Sequence, residues 1–202
     1  MLEWRWGQTL WRISLLFPAV VVVLLTLDTG RTALWCLIAS AMHEAGHFAA
    51  LLSCGGLPSV VSVGLFGVRM ETAERSALSY RQNLWISLAG PLVNLVSLLL
   101  LAAFGRSSTV PAMVHGTMAF LNLLPIEPLD GGQALIYALS SRLLADKAER
   151  IVWVVSLCFL FPLAVAGFYL LIRSRYNFTL LVLCLYLGLL IVLKRKGPFF
   201  HA

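Results

Sequence analysis

The chain has 202 residues, 60% of them hydrophobic and 12% charged, against about 45–50% and about 25% in soluble globular domains. The net charge is +6, but the basic residues sit in short clusters between apolar runs, which argues against a nucleic-acid-binding face and fits the loops of a membrane protein. Cys36, Cys54, Cys158 and Cys184 form no CxxC pair and three lie in apolar stretches, which excludes a disulfide framework.

The first apolar run, residues 10–27, follows Arg5 and Arg12. A basic start and an apolar core also describe a signal peptide, but the run is long. The Thr26-Leu27-Asp28-Thr29-Gly30 stretch after it lacks a small-x-small cleavage site, so a retained first span is expected. A second run, residues 32–53, contains His43, Glu44 and His47 and ends at Cys54-Gly55-Gly56-Leu57-Pro58. Residues 60–72 are rich in β-branched and aromatic side chains with Gly64 and Gly67, the pattern of a short hairpin. A third span covers 84–104, with Gly90-Pro91 and Asn94 inside it. A fourth begins near Pro111 and stops at Leu124, because Pro125-Ile126-Glu127-Pro128-Leu129-Asp130-Gly131-Gly132 cannot be continuous helix. A helical pattern resumes over 133–144, and spans five and six cover 151–172 and 177–193.

Six spans of about 20 residues use about 120 of the chain and leave loops and tails, with no room for an appended soluble domain. The expected fold is thus an all-α polytopic membrane protein of six transmembrane helices, the fourth broken, with a short β-hairpin after the second. Residues 1–202 form a single membrane-embedded domain in this reading, with core 32–145 and flanking helices 10–27, 151–172 and 177–193. With both termini inside, that side receives Arg5, Arg12, Arg69, Arg75, Arg81, Arg142, Lys147, Arg150, Lys194, Arg195 and Lys196, and the other side Arg31, Arg106, Arg173 and Arg175. Eleven against four favours cytoplasmic termini.

His43-Glu44-Ala45-Gly46-His47 is an HExxH sequence. On a helix, residues four apart share a face, so both imidazoles can grip one ion while Glu44 projects beside them as a general base. Zinc suits two imidazoles plus a carboxylate, with one position open for water, whose pKa it lowers to about 7. In a soluble helix such a short motif can occur by chance. Within a span, ionisable residues are costly and face a partner or a water-filled cavity. A pair of hydrogen-bonded core histidines would leave Glu44 in mid-span without explanation.

The third ligand has two candidates. Asp130 sits where the fourth span is broken, and non-helical backbone at membrane depth is tolerated where it is buried or lines a cavity. It also suits the cap of a helix beginning near Gln133. Glu127, in the same stretch, has the same chemistry.

The His-Glu-Ala-Gly-His motif, the Ser87-Leu-Ala-Gly90-Pro91-Leu-Val-Asn94 stretch and Asn122-Leu-Leu-Pro125-Ile-Glu-Pro128-Leu-Asp130-Gly131, in that order, resemble the site-2 proteases, intramembrane zinc metalloproteases of the M50 type. The resemblance covers about residues 39–135. It implies Zn2+, one per chain, held by His43, His47 and Asp130, with Glu44 as the base. It also implies that Asn122 contacts the substrate backbone or the tetrahedral intermediate. The implied partners are a membrane protein substrate, the lipid bilayer and a regulatory membrane partner, with no nucleic acid. The implied location is a bacterial cytoplasmic membrane. The compact build looks most like the sporulation branch, which processes membrane-associated pro-sigma factors. Members of that branch often end in a CBS domain, which this chain does not carry. Rival readings are a metal transporter using the same three residues, which has no need of Glu44, and an inactive scaffold, which has no need of the complete set.

Among the remaining features, His115 lies two turns before Asn122 and reads as a hydrogen-bonded interior histidine. Cys36 reads as a small apolar filler on the face of His43. Trp4, Trp6, Trp11, Trp35, Trp85 and Trp153 read as interface anchors. The hairpin would lie against the core or the membrane interface, either adding a strand to the substrate or plugging the space between spans. At about 1.5 Å per residue, the second span places His43 and His47 towards its cytoplasmic end.

Overall fold

The first thirteen residues contain Leu2-Glu3-Trp4-Arg5-Trp6, an apolar–polar alternation of period two, and, after Gly7-Gln8, Thr9-Leu10-Trp11-Arg12-Ile13, rich in β-branched and aromatic side chains, both of which favour strands. In the computed structural model, which describes residues 1–7, 9–64, 67–71, 78–174 and 177–196, they are β1 (Leu2–Trp6) and β2 (Thr9–Ile13). Gly7 takes φ +61°, the left-handed backbone that a tight hairpin turn requires. Trp4 faces Trp11 across the pair, with parallel rings 6.1 Å apart. This corrects two expectations. The first span cannot begin at residue 10, and Trp4 and Trp11 are a cross-strand pair rather than anchors at a span end.

The residue 60–72 hairpin appears as β3 (Val60–Gly64) and β4 (Gly67–Glu71). Its Leu65 and Thr72, like Arg75 and Arg175 of the charge count, lie outside the described residues. The hairpin does not stand alone. β2 runs parallel to β3, pairing Leu10 with Val60 and Ile13 with Val63, so the described strands form one sheet in the order β1-β2-β3-β4. Two hairpins thus stabilise each other where one would be marginal. Val63 pairs with Ile13 on one side and Val68 on the other, and its carbonyl accepts from Ser14 N–H at 3.0 Å. Val63 lies on an inner strand, so Val63→Pro, which removes its N–H from the ladder, should lower stability by about 1 kcal/mol or more, the worth of a lost ladder bond. It should also erase the coupled Trp4–Trp11 signal in near-ultraviolet circular dichroism; an unchanged signal would mean that the sheet does not depend on β3.

Two compact units divide the chain at Phe120 and Leu121. The first holds the sheet, α1 (Leu16–Leu27), α2 (Thr32–Ser53) and α3 (Tyr80–Ala103). α4 (Val110–Asn122) runs across the division. α1 is apolar all round with no buried residue, the pattern of a helix solvated by lipid. Its 12 residues span about 18 Å against a hydrocarbon thickness of about 30 Å. α2 starts where Asp28 Oδ2 accepts from Ala33 N–H at 2.6 Å. α3 starts with a reciprocal cap, Ser79 Oγ accepting from Gln82 N–H and Gln82 Oε1 from Ser79 N–H. α2 and α3 close over Ala50, Leu51, Ile86 and Ala89. Small residues at this seam let the backbones approach, as expected where lipid supplies no hydrophobic drive between helices. A Cβ on Gly46 would stand 2.8 Å from the Ala89 carbonyl oxygen.

The second unit contains α5 (Asp130–Ser140), α6 (Ala145–Ser174) and α7 (Thr179–Lys196). α7 and α6 pack over the irregular 123–129 segment, where Ile126 is fully buried with Leu187 and Ile191, flanked by Trp153. Trp153 is half-buried and packs beside this core as well as lying near a span end. Cys36, read as a filler, is exposed.

The architecture is mostly helical with one small sheet. Among the described residues, Tyr80–Ala103 and Ala145–Ser174 are long and apolar enough to cross a membrane, while Leu16–Leu27 and Thr179–Lys194 are apolar but shorter. α2 has the length, 22 residues, but its two histidines and glutamate dilute its apolar character.

Candidate metal centre

The HExxH residues all lie on α2. His43 is buried, and Glu44 and His47 are half-buried. The two imidazoles meet edge to face, at 81°, with their Nε2 atoms 3.2 Å apart. His47 is fixed from behind by α3, where its Nδ1–H donates to the Ile86 carbonyl at 2.7 Å. A carbonyl oxygen only accepts, so His47 Nε2 carries a lone pair. Pro91 can give no N–H to the carbonyl four residues earlier, which marks this stretch of α3 as one where the helix ladder is already interrupted. Space for the ring comes from Gly90. A Cβ there would collide with His47 Nε2 and stand 2.7 and 2.8 Å from its Cε1 and Cδ2.

The donor set fits a metal ion. Two nitrogens bound tetrahedrally at 2.0–2.1 Å stand about 3.3–3.4 Å apart, close to the 3.2 Å between these two. Their rings are held by groups outside the pair, as ligating histidines usually are.

His43 leads to residues that the motif does not contain. Its Nδ1 accepts from the Asn94 amide N–H at 3.2 Å, and Asn94 Oδ1 accepts from His115 Nδ1–H at 3.0 Å. Asn94 is fully buried and His115 nearly so. His115 is therefore the hydrogen-bonded interior histidine that the sequence indicated, but its link to His43 through Asn94 was missed. The available signal was a lone amide in an apolar span, which needs partners there.

In the second unit, Asp130 is the first residue of α5 and is half-buried. The helix starts at Asp130, not near Gln133, and the residue at its N-cap, Leu129, makes no side-chain cap bond. Asp130 is thus part of the helix rather than the cap of a later one. Two glycines make the early start possible. A Cβ on Gly131 would collide with the Leu123 carbonyl and one on Gly132 with the Ile126 carbonyl, so the irregular segment folds directly onto the first turn. Asn122 is the half-buried last residue of α4.

Glu127, the rival ligand, has other partners. Its Oε1 accepts from Lys194 Nζ at 2.7 Å, its N–H donates to Ser156 Oγ at 2.8 Å and its carbonyl accepts from Gln133 Nε2 at 2.7 Å. Lys194, expected only as an inside-facing charge after the last span, is therefore also the counter-ion of a buried carboxylate.

Comparison with known proteins gives the same direction. The profile of peptidase family M50 matches residues 106–163, which include the broken segment and Asp130. Stage IV sporulation protein FB of Bacillus subtilis is 31% identical over 150 residues, 69% of this chain and 51% of that protein. A Synechocystis protein named as a zinc metalloprotease is 31% identical over 114 residues, 52% of this chain and 30% of that protein. The site-2 protease from Methanocaldococcus jannaschii superposes with a TM-score of 0.65 over 100% of this chain and 98% of that one. The chain belongs to peptidase family M50, the site-2 proteases. At 16% identity the structural match speaks for the fold alone, and it includes a site-2 protease arrangement of helices. The chain spans about half or less of the length of the two sequence relatives. M50 peptidases are membrane metalloproteases, consistent with the two membrane-length helices and the paired imidazoles.

Proposed function

We propose that this M50 chain is a zinc-dependent intramembrane endopeptidase that cuts a transmembrane or membrane-associated segment of a protein substrate. The observation that carries the reading is the pair of facing Nε2 atoms on α2, beside Glu44. His43, His47 and Asp130 are the proposed ligands, two imidazoles and a carboxylate, a donor set that suits zinc. The bound ion would polarise the scissile carbonyl and lower the pKa of a nearby water. Glu44 takes a proton from the attacking water and returns it to the leaving amine, so that it ends the cycle as it began. The Asn122 amide donates to the substrate backbone as its carbonyl becomes an oxyanion. Because peptide groups inside a helix are shielded, the substrate segment unwinds before attack. Segments with helix-weakening residues are the expected class.

In this reading residues 1–202 act as one membrane-embedded peptidase domain, with six crossings in a bacterial cytoplasmic membrane and both termini on the cytoplasmic side. The lysine and arginine asymmetry supports that orientation. Substrates of the pro-sigma or anti-sigma type, and a regulatory membrane partner, are part of the same proposal, which the likeness to a sporulation protein supports. Single cysteines at positions 54 and 129 should label from the cytoplasmic face and resist an impermeant thiol reagent on intact cells; labelling from outside would invert the topology.

Metal analysis tests the ligand set. The purified chain should carry about one zinc, His43→Ala should remove most of it, and Asp130→Asn should weaken it because an amide is the poorer ligand. Glu127→Gln should leave zinc in place and lower the melting temperature, since it strips Lys194 of its carboxylate. Zinc lost in Glu127→Gln but kept in Asp130→Asn would reassign the third ligand.

A further inference from the structure

A cavity beside Arg31 and Arg106 plays no part in the metal chemistry. It measures about 850 Å³ among α2, α3 and α4, and its described lining residues all belong to the first unit. The titratable groups in that lining are two arginines and one histidine, with no carboxylate. Neither guanidinium has a hydrogen-bond or ion-pair partner among the described residues. The acid nearest Arg31 in sequence, Asp28, does not line the cavity, and its Oδ2 accepts from the Ala33 N–H. The space therefore favours an anion over a cation, whatever the proton state of His115.

The depth of the cavity identifies the rest of the ligand. α3 has 24 residues, a length of about 36 Å against a hydrocarbon layer of about 30 Å, so its ends reach headgroup level. Arg106 lies just beyond its last residue, Ala103, and Arg31 immediately precedes α2. Both cations thus stand where lipid phosphates lie. From Arg31 the lining continues along α2 to Met42, a rise of about 16 Å, which matches the hydrocarbon depth of one leaflet. Trp35, Leu101 and Phe104 keep the wall apolar along the way. A small soluble anion would leave that apolar bore unfilled. An acidic peptide would bring backbone groups into it that find no partners there.

We propose that this cavity binds one anionic glycerophospholipid, with its phosphate at Arg31 and Arg106 and an acyl chain running along α2 towards Met42. With both termini cytoplasmic, the lipid comes from the outer leaflet, on the side where the lysine and arginine count leaves few cations. The inference rests on α3 crossing the bilayer and not on the peptidase reading.

The test uses the full chain in a maltoside detergent, with phosphatidylglycerol, phosphatidylcholine or soluble glycerol 1-phosphate added, and native mass spectrometry to count adducts. Phosphatidylglycerol should saturate at one tightly held molecule per chain and raise the unfolding temperature, because a ligand that binds only the folded chain stabilises it. An arginine near the membrane surface changes affinity for anionic lipid by about fivefold. Arg31→Gln and Arg106→Gln should each weaken the adduct by about that factor, and the double variant by about 30-fold. Arg173→Gln removes a cation outside the cavity lining and should leave the adduct unchanged. Leu101→Trp fills the bore without altering charge and should abolish it. Equal retention of phosphatidylglycerol and phosphatidylcholine, an unchanged adduct in the double variant, or the same loss in Arg173→Gln as in Arg31→Gln would overturn the proposal. Glycerol 1-phosphate held as tightly as phosphatidylglycerol would overturn the lipid assignment and leave a phosphate site. The comparison of ligands on the wild-type chain decides the matter even where a variant fails to fold, and its failure would leave the zinc and cleavage measurements untouched.

Discussion

Glu44→Gln should retain zinc and the native fold while peptide cleavage falls by about 10²–10⁴-fold. The size is that of a general base removed from its reaction. Gln matches Glu in shape, so the packing of α2 is preserved, but its amide cannot take a proton from water. Glu44 neighbours His43 in sequence and so projects about 100° round the helix from it. It flanks the histidine face without being one of the paired imidazoles, which is why metal content and turnover separate in this variant. The measurement is zinc per chain alongside cleavage of a membrane-embedded model substrate. Cleavage near the wild-type rate would remove Glu44 from the chemistry and favour a transporter, which needs no base beside its ion.

A single methyl group at Gly90 should be almost as damaging, by a different route. The added Cβ would fall on the His47 ring, touching Nε2, Cε1 and Cδ2. This is not the free end of a flexible side chain. The ring is tethered at Nδ1 to the Ile86 carbonyl of the same helix α3, so it cannot swing away without losing that bond. Either the imidazole turns off its axis or α3 separates from α2. Gly90→Ala should therefore weaken zinc by about 10–100-fold and cost about 1–3 kcal/mol in overpacking. Gly46→Ala is the matched control. Its Cβ meets the Ala89 carbonyl and Val93 rather than the histidine, so it should lower stability with a smaller loss of zinc affinity. Chelator competition and thermal unfolding on both variants check the contrast. Wild-type zinc affinity in Gly90→Ala would show that the ring is not held where it stands.

Much of this molecule was legible before any coordinates. The membrane character followed from composition, because so apolar a chain cannot keep its surface in water. HExxH could be assigned to one helix face because i and i+4 coincide there whatever the tertiary context. The break after Leu124 followed from two prolines and two glycines, whose backbone restrictions are local. The hairpin at 60–72 was found for the same reason. Its partner at residues 2–13 was missed although residues 2–6 alternate, because the apolar run behind it extended naturally backwards to Leu10. A parallel pairing of strands some fifty residues apart has no local signature, so only the fold could join the two hairpins into one sheet.

The site divides in the same way. Sequence named His43, Glu44 and His47 from their spacing and put Asp130 first as the third ligand, with Glu127 as a rival, because residue type alone cannot exclude one carboxylate in favour of another. The ion pair between Glu127 and Lys194 spans 67 residues, and the room that Gly90 gives His47 joins two helices. Each is a contact between distant stretches that no local pattern encodes. Asn94 makes the point most clearly. In the sequence it is one polar residue in an apolar helix, which requires a partner without naming it. Tertiary packing set it between two histidines, His43 and His115, and so made it part of the surroundings of the HExxH helix.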